Sequence, residues 1–205
     1  MKKTLLIVLF ITGFCFGQTY ELAEEFYSNG FPKVIKTYKV SKDKIELVKE
    51  IEWYKQGQKS EERNYKDGKL DGLWTEWYDN GQKLYERTYK DGHSTGLWTE
   101  WYYDGQKKEE GTYKDGKLDG LETEWWSNGQ KLYERTYKDG KLDGLVTGWY
   151  ENGQKEFEGT YKNGELDGFV TGWWSNGQKW YERTFKDGEL ISVKKWNEDG
   201  NLIEK

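Results

Sequence analysis

A 24-residue repeat constrains this chain more than any other feature of its sequence. The glycine of a Gly-Gln-Lys triplet recurs without an insertion at Gly57, Gly81, Gly105, Gly129, Gly153 and Gly177. The glycine of a Lys-Asp/Asn-Gly triplet recurs in step with it, at Gly68, Gly92, Gly116, Gly140, Gly164 and Gly188. A fixed period of this length indicates copies of one supersecondary element, each of which buries its apolar side by stacking on its neighbours.

Each repeat is expected to contain two strands. In the second copy, Leu73 to Tyr78 predicts the first strand, Asp79 to Gly81 a tight turn, Gln82 to Tyr89 the second strand, and Lys90 to Gly96 a longer connection. Aromatic residues and threonine favour strands. Asn-Gly and Asp-Gly favour hairpin turns in which both central residues have positive φ. The sequence therefore predicts an all-β fold, an elongated array of antiparallel β-hairpins with degenerate terminal caps.

The alternation of side chains along a strand divides each repeat between two faces. Leu73, Thr75 and Trp77 share one face, to which Tyr89 is also assigned, and these residue types change little between copies. That face is expected to be the core, although the sequence leaves open whether the sheet buries one face or both. Exposed Trp and Tyr are enriched at binding surfaces. The aromatic residues that vary between copies are therefore the candidate binding residues, namely Trp74, Tyr78, Trp98, Tyr102, Trp126, Trp174 and Trp180.

One connection departs from the others. His93, Ser94 and Thr95 stand where three sister copies have Lys-Leu-Asp, and His93 is the only histidine of the chain. We regard this segment as a second candidate site because it is the clearest break in the symmetry of the array. Sequence drift in an exposed loop is the simpler explanation, and both remain open at this stage.

The regular repeats do not extend to the ends of the chain. Residues 57–190 hold the regular copies, whereas residues 18–56 hold a degenerate copy with looser spacing. Residues 191–205 hold a shortened copy. Terminal repeats that differ from the interior ones are typical of caps. Residues 1–17 do not belong to the pattern and are assigned to a signal peptide.

The signal peptide assignment rests on Lys2 and Lys3 followed by the apolar run from Leu5 to Phe16. The run is too short to span a bilayer and has the length of a signal core. Cleavage before Gln18 would remove Cys15, although Cys15 is alternatively a lipid attachment site. We expect an exported protein, in the periplasm, at the cell surface or in the medium, without an integral membrane segment after cleavage.

Composition and charge exclude several classes of function. Without Lys2 and Lys3, 30 basic side chains face 37 acidic ones, so the chain lacks the basic surface that nucleic acid requires. The loss of Cys15 would leave no thiol for a disulfide, a nucleophile or a cysteine zinc site. The Glu86 column repeats in equivalent environments, whereas paired catalytic carboxyl groups need different ones. We therefore expect no enzyme, no cofactor and no metal site.

The motif aromatic-Lys-Asp-Gly-Lys-Leu-Asp-Gly, followed by an aromatic strand and Asn-Gly-Gln-Lys, resembles the variant MORN repeat of the bacterial YwqK-type antitoxin family. The resemblance covers residues 51–190. It implies rows of β-hairpins that contact proteins or lipids, and it implies no catalytic residues. An antitoxin would act on a toxin in the cytosol, however, and this chain carries the pattern of an export signal.

The function that the sequence favours is an exported, non-enzymatic repeat scaffold that binds a protein partner. One alternative is a toxin-antitoxin or immunity-type inhibitor. Another is a cell-surface module that binds carbohydrate or cell wall, because exposed aromatic rings also stack on sugars. A protein is therefore the first class of partner expected, and a glycan is the second.

Overall fold

A computed structural model describes residues 17–205 of the chain, and the predicted signal peptide with Cys15 lies outside them apart from Gly17. All regular secondary structure within these residues is β-strand. The chain divides into two compact units, of which unit 1 ends at His93 and unit 2 covers Ser94–Lys205. No helix in the described part of the chain is long and apolar enough to cross a membrane.

Unit 1 is a sheet of antiparallel strands. Along its described residues these strands are β1 (Thr19–Phe26), β2 (Pro32–Val40), β3 (Ile45–Trp53), β4 (Lys59–Lys66), β5 (Lys69–Leu70), β6 (Gly72–Trp77) and β7 (Lys83–Lys90). Each strand pairs with the next along the chain, except that β4 pairs with both β5 and β6.

Unit 2 has the same architecture. Its strands are β8 (His93–Trp101), which begins at the boundary, β9 (Lys107–Lys114), β10 (Lys117–Leu118), β11 (Gly120–Trp125), β12 (Lys131–Lys138), β13 (Lys141–Trp149), β14 (Lys155–Lys162), β15 (Glu165–Trp173), β16 (Lys179–Lys186), β17 (Glu189–Trp196) and β18 (Leu202–Glu204). All pairings are antiparallel, and β9 pairs with both β10 and β11. The prediction of an all-β array of antiparallel hairpins is confirmed.

The Asp-Gly turns have the predicted conformation. Asp139 and Gly140 have φ of 50° and 82°, and Lys138 pairs with Lys141 across them. A two-residue loop with positive φ at both positions is a type I′ hairpin turn, whose twist matches that of the flanking strands. The connection between repeats is therefore a tight turn, and the prediction of a longer connection from Lys90 to Gly96 is wrong.

The Asn-Gly turns differ from the prediction. Gly81 has φ of 85°, whereas Asn80 is not among the described residues with positive φ. The Gly81 N–H donates to the Tyr78 carbonyl at 3.0 Å, and the Tyr78 N–H donates to the Gln82 carbonyl at 2.8 Å. This is a turn over Asp79-Asn80 followed by a left-handed glycine. A one-residue register shift follows beyond the turn, between Glu76 and Trp77, where Leu84 is the extra residue of β7.

Candidate functional site

Each repeat presents the same rows of side chains on one side of its sheet. On β11 and β12, Leu121 lies opposite Thr136, and Thr123 lies opposite Glu134. Trp125 follows on the same side after the register shift, where it lies opposite a lysine. We call this side the leucine face. The opposite side carries the tyrosines of the second strands and is called the tyrosine face.

The leucine face is not the apolar core that the sequence predicted. The first residues of its strands are between 43% and 75% exposed, namely Leu73, Leu97, Leu121, Leu145 and Phe169. Each of them lies opposite a threonine, whose short side chain covers little of a neighbouring leucine. Within unit 2, the exposed residues Leu97, Leu121, Leu145 and Phe169 form a row that we call the leucine ridge.

The threonines beside the ridge are buried, in contrast to the leucines. These threonines are between 3% and 8% exposed, namely Thr75, Thr99, Thr123 and Thr147. Each is paired with the glutamate of the neighbouring second strand, as Thr147 is with Glu158. The buried layer on this face is therefore thin and polar.

A ladder of lysine and tryptophan lies beyond the threonines. The ammonium group of Lys131 lies 5.6 Å from the ring centroid of Trp149, in a cation–π arrangement, and also pairs with Glu134. Four further lysines repeat this contact with the tryptophan of the following repeat, namely Lys59, Lys107, Lys155 and Lys179. Each glutamate of the Glu86 column pairs with the lysine three positions before it on the same strand.

The core of unit 2 lies on the tyrosine face. Trp98, Val146 and Val170 are buried there, and Trp98 is only 6% exposed. Its ring contacts Tyr113 with the centroids 6.2 Å apart. The prediction that Trp98 is a surface residue is wrong, because the ring lies over the backbone of Gly111, where a Cβ atom would come within 2.7 Å of its Nε1.

Trp74 also belongs to the interior of the tyrosine face. Its ring lies 5.8 Å from Tyr85 and 5.7 Å from Tyr89, measured between centroids, and the guanidinium of Arg63 lies over it. Tyr89 pairs with Gly72 and faces Trp74. The assignment of Tyr89 to the same face as Leu73 is therefore wrong.

Three of the predicted binding residues tie one repeat to the next. The Tyr102 hydroxyl donates to the Trp125 carbonyl at 2.7 Å. The indole Nε1 of Trp126 donates to the Trp149 carbonyl at 3.2 Å, and that of Trp174 to the Trp196 carbonyl at 3.3 Å. Tyr78 stands in the same column of the repeat and is half-buried. These positions need an aromatic side chain that carries a hydrogen-bond donor, and both Tyr and Trp supply one.

Trp180 is the predicted binding residue that stays most accessible. It is 40% exposed, and its ring stacks on Trp174 with the centroids 4.8 Å apart and contacts Tyr181 at 5.2 Å. The stacking fixes the orientation of the exposed indole. Its role in binding stays a prediction.

The segment His93-Ser94-Thr95 begins strand β8, with His93 exposed. In sister repeats the third residue is an aspartate that caps the following turn: the Asp139 N–H donates to Asp119 Oδ2 at 3.2 Å, and the Asn163 N–H donates to Asp143 Oδ2 at 3.1 Å. Thr95 offers no carboxylate for this role. No group of three metal-ligating side chains occurs within residues 17–205.

A network of carboxylates crosses the tyrosine face of unit 2. Glu109 lies opposite Glu124 on one side and Glu100 on the other. Arg135 Nη1 donates to both carboxylate oxygens of Glu122, at 3.1 and 3.0 Å, and its Nη2 donates to Glu124 at 3.1 Å. The single guanidinium is thus occupied by two carboxylates, which leaves Glu109 with like charges as neighbours.

This arrangement changes the protonation of Glu109. Partial burial raises its pKa to about 8, with a hydrogen bond to Glu122 and repulsion from Glu122, Glu124 and Glu100 acting in the same direction. Lys108 does not neutralise it, because its ammonium group donates to Glu100 at 2.7 Å. Glu109 is therefore protonated at neutral pH and can donate its proton to Glu122.

Comparison with known families follows the same 24-residue pattern. The model of the MORN repeat variant matches the chain four times, at residues 70–91, 94–115, 118–139 and 142–163. The chain contains four copies of the variant MORN repeat. No curated protein sequence matches it significantly.

The matched MORN repeats share the geometry described above, with an exposed leucine at the start of each first strand and a tyrosine on the opposite face. Assignment to the YwqK-type antitoxins stays a prediction.

The leucine ridge was not identified from the sequence as a candidate site, although Gly148 and Gly172 indicate which face is packed. Glycine beside aromatic residues on one face indicates that rings lie over the backbone there, so that this face is the packed one.

Proposed function

We propose that this MORN-repeat protein is an exported, non-enzymatic scaffold that binds a protein partner through the leucine ridge of unit 2. The observation that carries the proposal is the row of exposed apolar residues Leu97, Leu121, Leu145 and Phe169. Contiguous exposed apolar surface is typical of interaction sites rather than of free protein surface.

The surroundings of the ridge suit a binding surface. The tryptophan beyond it is held by a lysine, and the lysine is held by a glutamate, as in Trp149, Lys131 and Glu134. Side chains that are already fixed lose little conformational entropy when a partner binds. The apolar row would supply the centre of an interface and the charged rows its polar rim.

Export is supported by the sequence of residues 1–17. Lys2 and Lys3 precede an apolar run of signal-peptide length, and small residues flank the junction before Gln18. Mass spectrometry of the protein recovered from the envelope and the medium of an expressing bacterium tests this. We expect a chain that begins at Gln18, and an uncleaved chain confined to the cytosol would contradict export.

Binding through the ridge is tested with the double variant Leu121→Asp/Leu145→Asp. The variant and the wild type are each immobilised and incubated with envelope extracts, and the proteins that they retain are compared. The matched control is Ile203→Asp, an exposed apolar residue of β18 outside the ridge. We expect a reproducible partner on the wild type and the control, and its loss from the ridge variant. If all three proteins capture the same partner equally well, the ridge is not the binding surface.

A further inference from the structure

We propose that the exposed indole of Trp180, together with the charged groups of Glu156 and Arg183, binds the pyranose ring of a saccharide. The site lies beside Tyr181 on the tyrosine face of unit 2, on the opposite side of the sheet from the leucine ridge. The inference is therefore independent of the proposed function. It rests on the exposure of the indole and on two charged groups that the fold leaves without a counter-charge.

Trp180 occupies a position of the repeat that is not aromatic in any other regular copy. It is the extra residue of β16 at the register shift between Gly172 and Trp173, and a bulge of this kind redirects a side chain. The aromatic ring is therefore particular to this repeat and is not a requirement of the fold. The same position holds Ser60, Leu84, Lys108, Leu132 and Glu156 in the other copies.

The indole of Trp180 is held in one orientation and stays accessible. Trp174 stacks on it with the ring centroids 4.8 Å apart and the planes inclined by 34°, and Tyr181 meets it at 5.2 Å with an interplanar angle of 66°. Trp174 is itself tethered by its hydrogen bond to the carbonyl of Trp196. Trp180 is nevertheless 40% exposed. A ring that is already fixed loses little conformational entropy when a ligand stacks on it.

Charged groups of both signs lie next to Tyr181. The guanidinium carbon of Arg183 lies 4.3 Å from the centroid of the Tyr181 ring. Burial raises the pKa of Tyr181, the charge of Arg183 opposes this, and the charge of Glu156 acts in the same direction as burial. Burial and the charge of Glu156 also raise the pKa of Tyr150. The Glu156 carboxylate therefore lies near the hydroxyl groups of two tyrosines on this face.

The charge of Arg183 is not compensated as it is in a sister repeat. Arg135, at the equivalent position of β12, donates to two carboxylates of β11. Arg183 instead lies opposite Val170 on one side and Val193 on the other. Within residues 17–205, Arg183 pairs with no carboxylate and Glu156 pairs with no basic group. The site therefore contains a guanidinium that can donate and a carboxylate that can accept.

This combination favours a neutral ligand that carries hydroxyl groups and an apolar face. A hydroxyl group both donates and accepts hydrogen bonds, so one ligand can satisfy the carboxylate and the guanidinium. An anion would be repelled by Glu156 and a cation by Arg183. A pyranose ring has hydroxyl groups at its rim and C–H groups on its face, and the apolar face of an exposed indole suits the latter.

The test measures the binding of cellotetraose and of tetra-N-acetylchitotetraose to the full chain by isothermal titration calorimetry. We expect the wild type to bind one or both saccharides. Trp180→Leu is expected to bind about tenfold more weakly, because one aromatic contact is lost. Leucine stands at this position in two sister repeats, at Leu84 and Leu132, so the variant is expected to fold. Trp180→Phe keeps an aromatic face and should bind more tightly than Trp180→Leu.

The charged groups are tested separately. Glu156→Gln and Arg183→Gln are each expected to weaken binding about threefold to tenfold, as the loss of a hydrogen bond to a charged group does. The matched control is Trp126→Tyr, which replaces an aromatic residue of another repeat by the tyrosine that its column carries at Tyr102 and Tyr150. It is expected to bind as the wild type does.

Two results would overturn the inference. The first is a wild type that binds neither saccharide at millimolar concentration, and the second is equal affinity of the wild type and Trp180→Leu. Binding of tetramethylammonium in place of the saccharides would assign the site to a cation and would also overturn it. Leu121→Asp/Leu145→Asp is expected to bind saccharide as the wild type does, which distinguishes this site from the leucine ridge.

Discussion

At Gly172, the lack of a side chain decides how the tyrosine face packs. A Cβ atom added there would lie 2.3 Å from Cε1 of Tyr181, the residue directly opposite on β16. Gly148 has the same relation to Phe157 and Tyr133. An aromatic ring covers the backbone at both glycines, so these positions belong to the core.

Gly172→Ala is expected to destabilise the protein by about 1–3 kcal/mol, because the ring of Tyr181 must leave its rotamer to admit the methyl group. Urea denaturation measures the loss. In a Tyr181→Ala background the same substitution should cost little, since the clashing ring is gone. Equal losses of stability in the two backgrounds would show that the Tyr181 ring is not what makes the methyl group at position 172 destabilising.

Glu109 gives the protein a pH dependence of defined sign. Its pKa is about 8 in the folded state and ordinary in the unfolded state, so the folded state binds more protons between these values. Stability is therefore expected to fall as the pH rises from about 5 to about 8, by on the order of 2 kcal/mol once solvent screening of this half-buried group is included. Below this window the group is protonated in both states and contributes no slope.

Glu109→Gln keeps the hydrogen-bonding shape of the protonated carboxyl group and cannot ionise. The variant is expected to equal the wild type near pH 5 and to exceed it near pH 8.5. Chemical denaturation of both proteins across this range measures the difference. Parallel pH profiles would contradict the assignment of the slope to Glu109.

The hairpin is the element that the structure repeats, and its two turns have different structural roles. The Asp-Gly turn joins neighbouring repeats by a two-residue loop and sets the register between their strands. The Asn-Gly turn closes each repeat and ends in a left-handed glycine, and the register shifts by one residue in the strands just before each tryptophan. An aspartate of one repeat then caps the Asp-Gly turn of the next, as Asp119 does for Asp139.

Thr95→Asp restores the capping residue at the one matched repeat that lacks it. The new carboxylate is expected to accept the Asp115 N–H, as Asp119 accepts that of Asp139, and to stabilise the protein by about 0.5–1.5 kcal/mol. Thermal and urea denaturation measure the change. Asp119→Thr is the matched control and should lose a similar amount, whereas no change in either variant would refute the capping role.

For the molecule as a whole, the spacing of glycines was sufficient to predict an all-β array of hairpins. It was not sufficient to predict the core, because alternation separates two faces without saying which one is packed. That depends on the partners across the strands, and the glycine spacing does not reveal the one-residue register shift between Glu76 and Trp77 that pairs Tyr89 with Gly72. Leu97 was consequently expected inside and Trp98 outside, the reverse of their positions.

The most direct test compares alanine substitutions at these two neighbours, Leu97 and Trp98, by urea denaturation. Trp98→Ala is expected to cost about 3–5 kcal/mol, as the loss of a buried indole does. Leu97→Ala is expected to cost less than about 0.5 kcal/mol, as substitutions at exposed positions do. The result that would contradict the account is the opposite order, with Leu97→Ala the more damaging substitution.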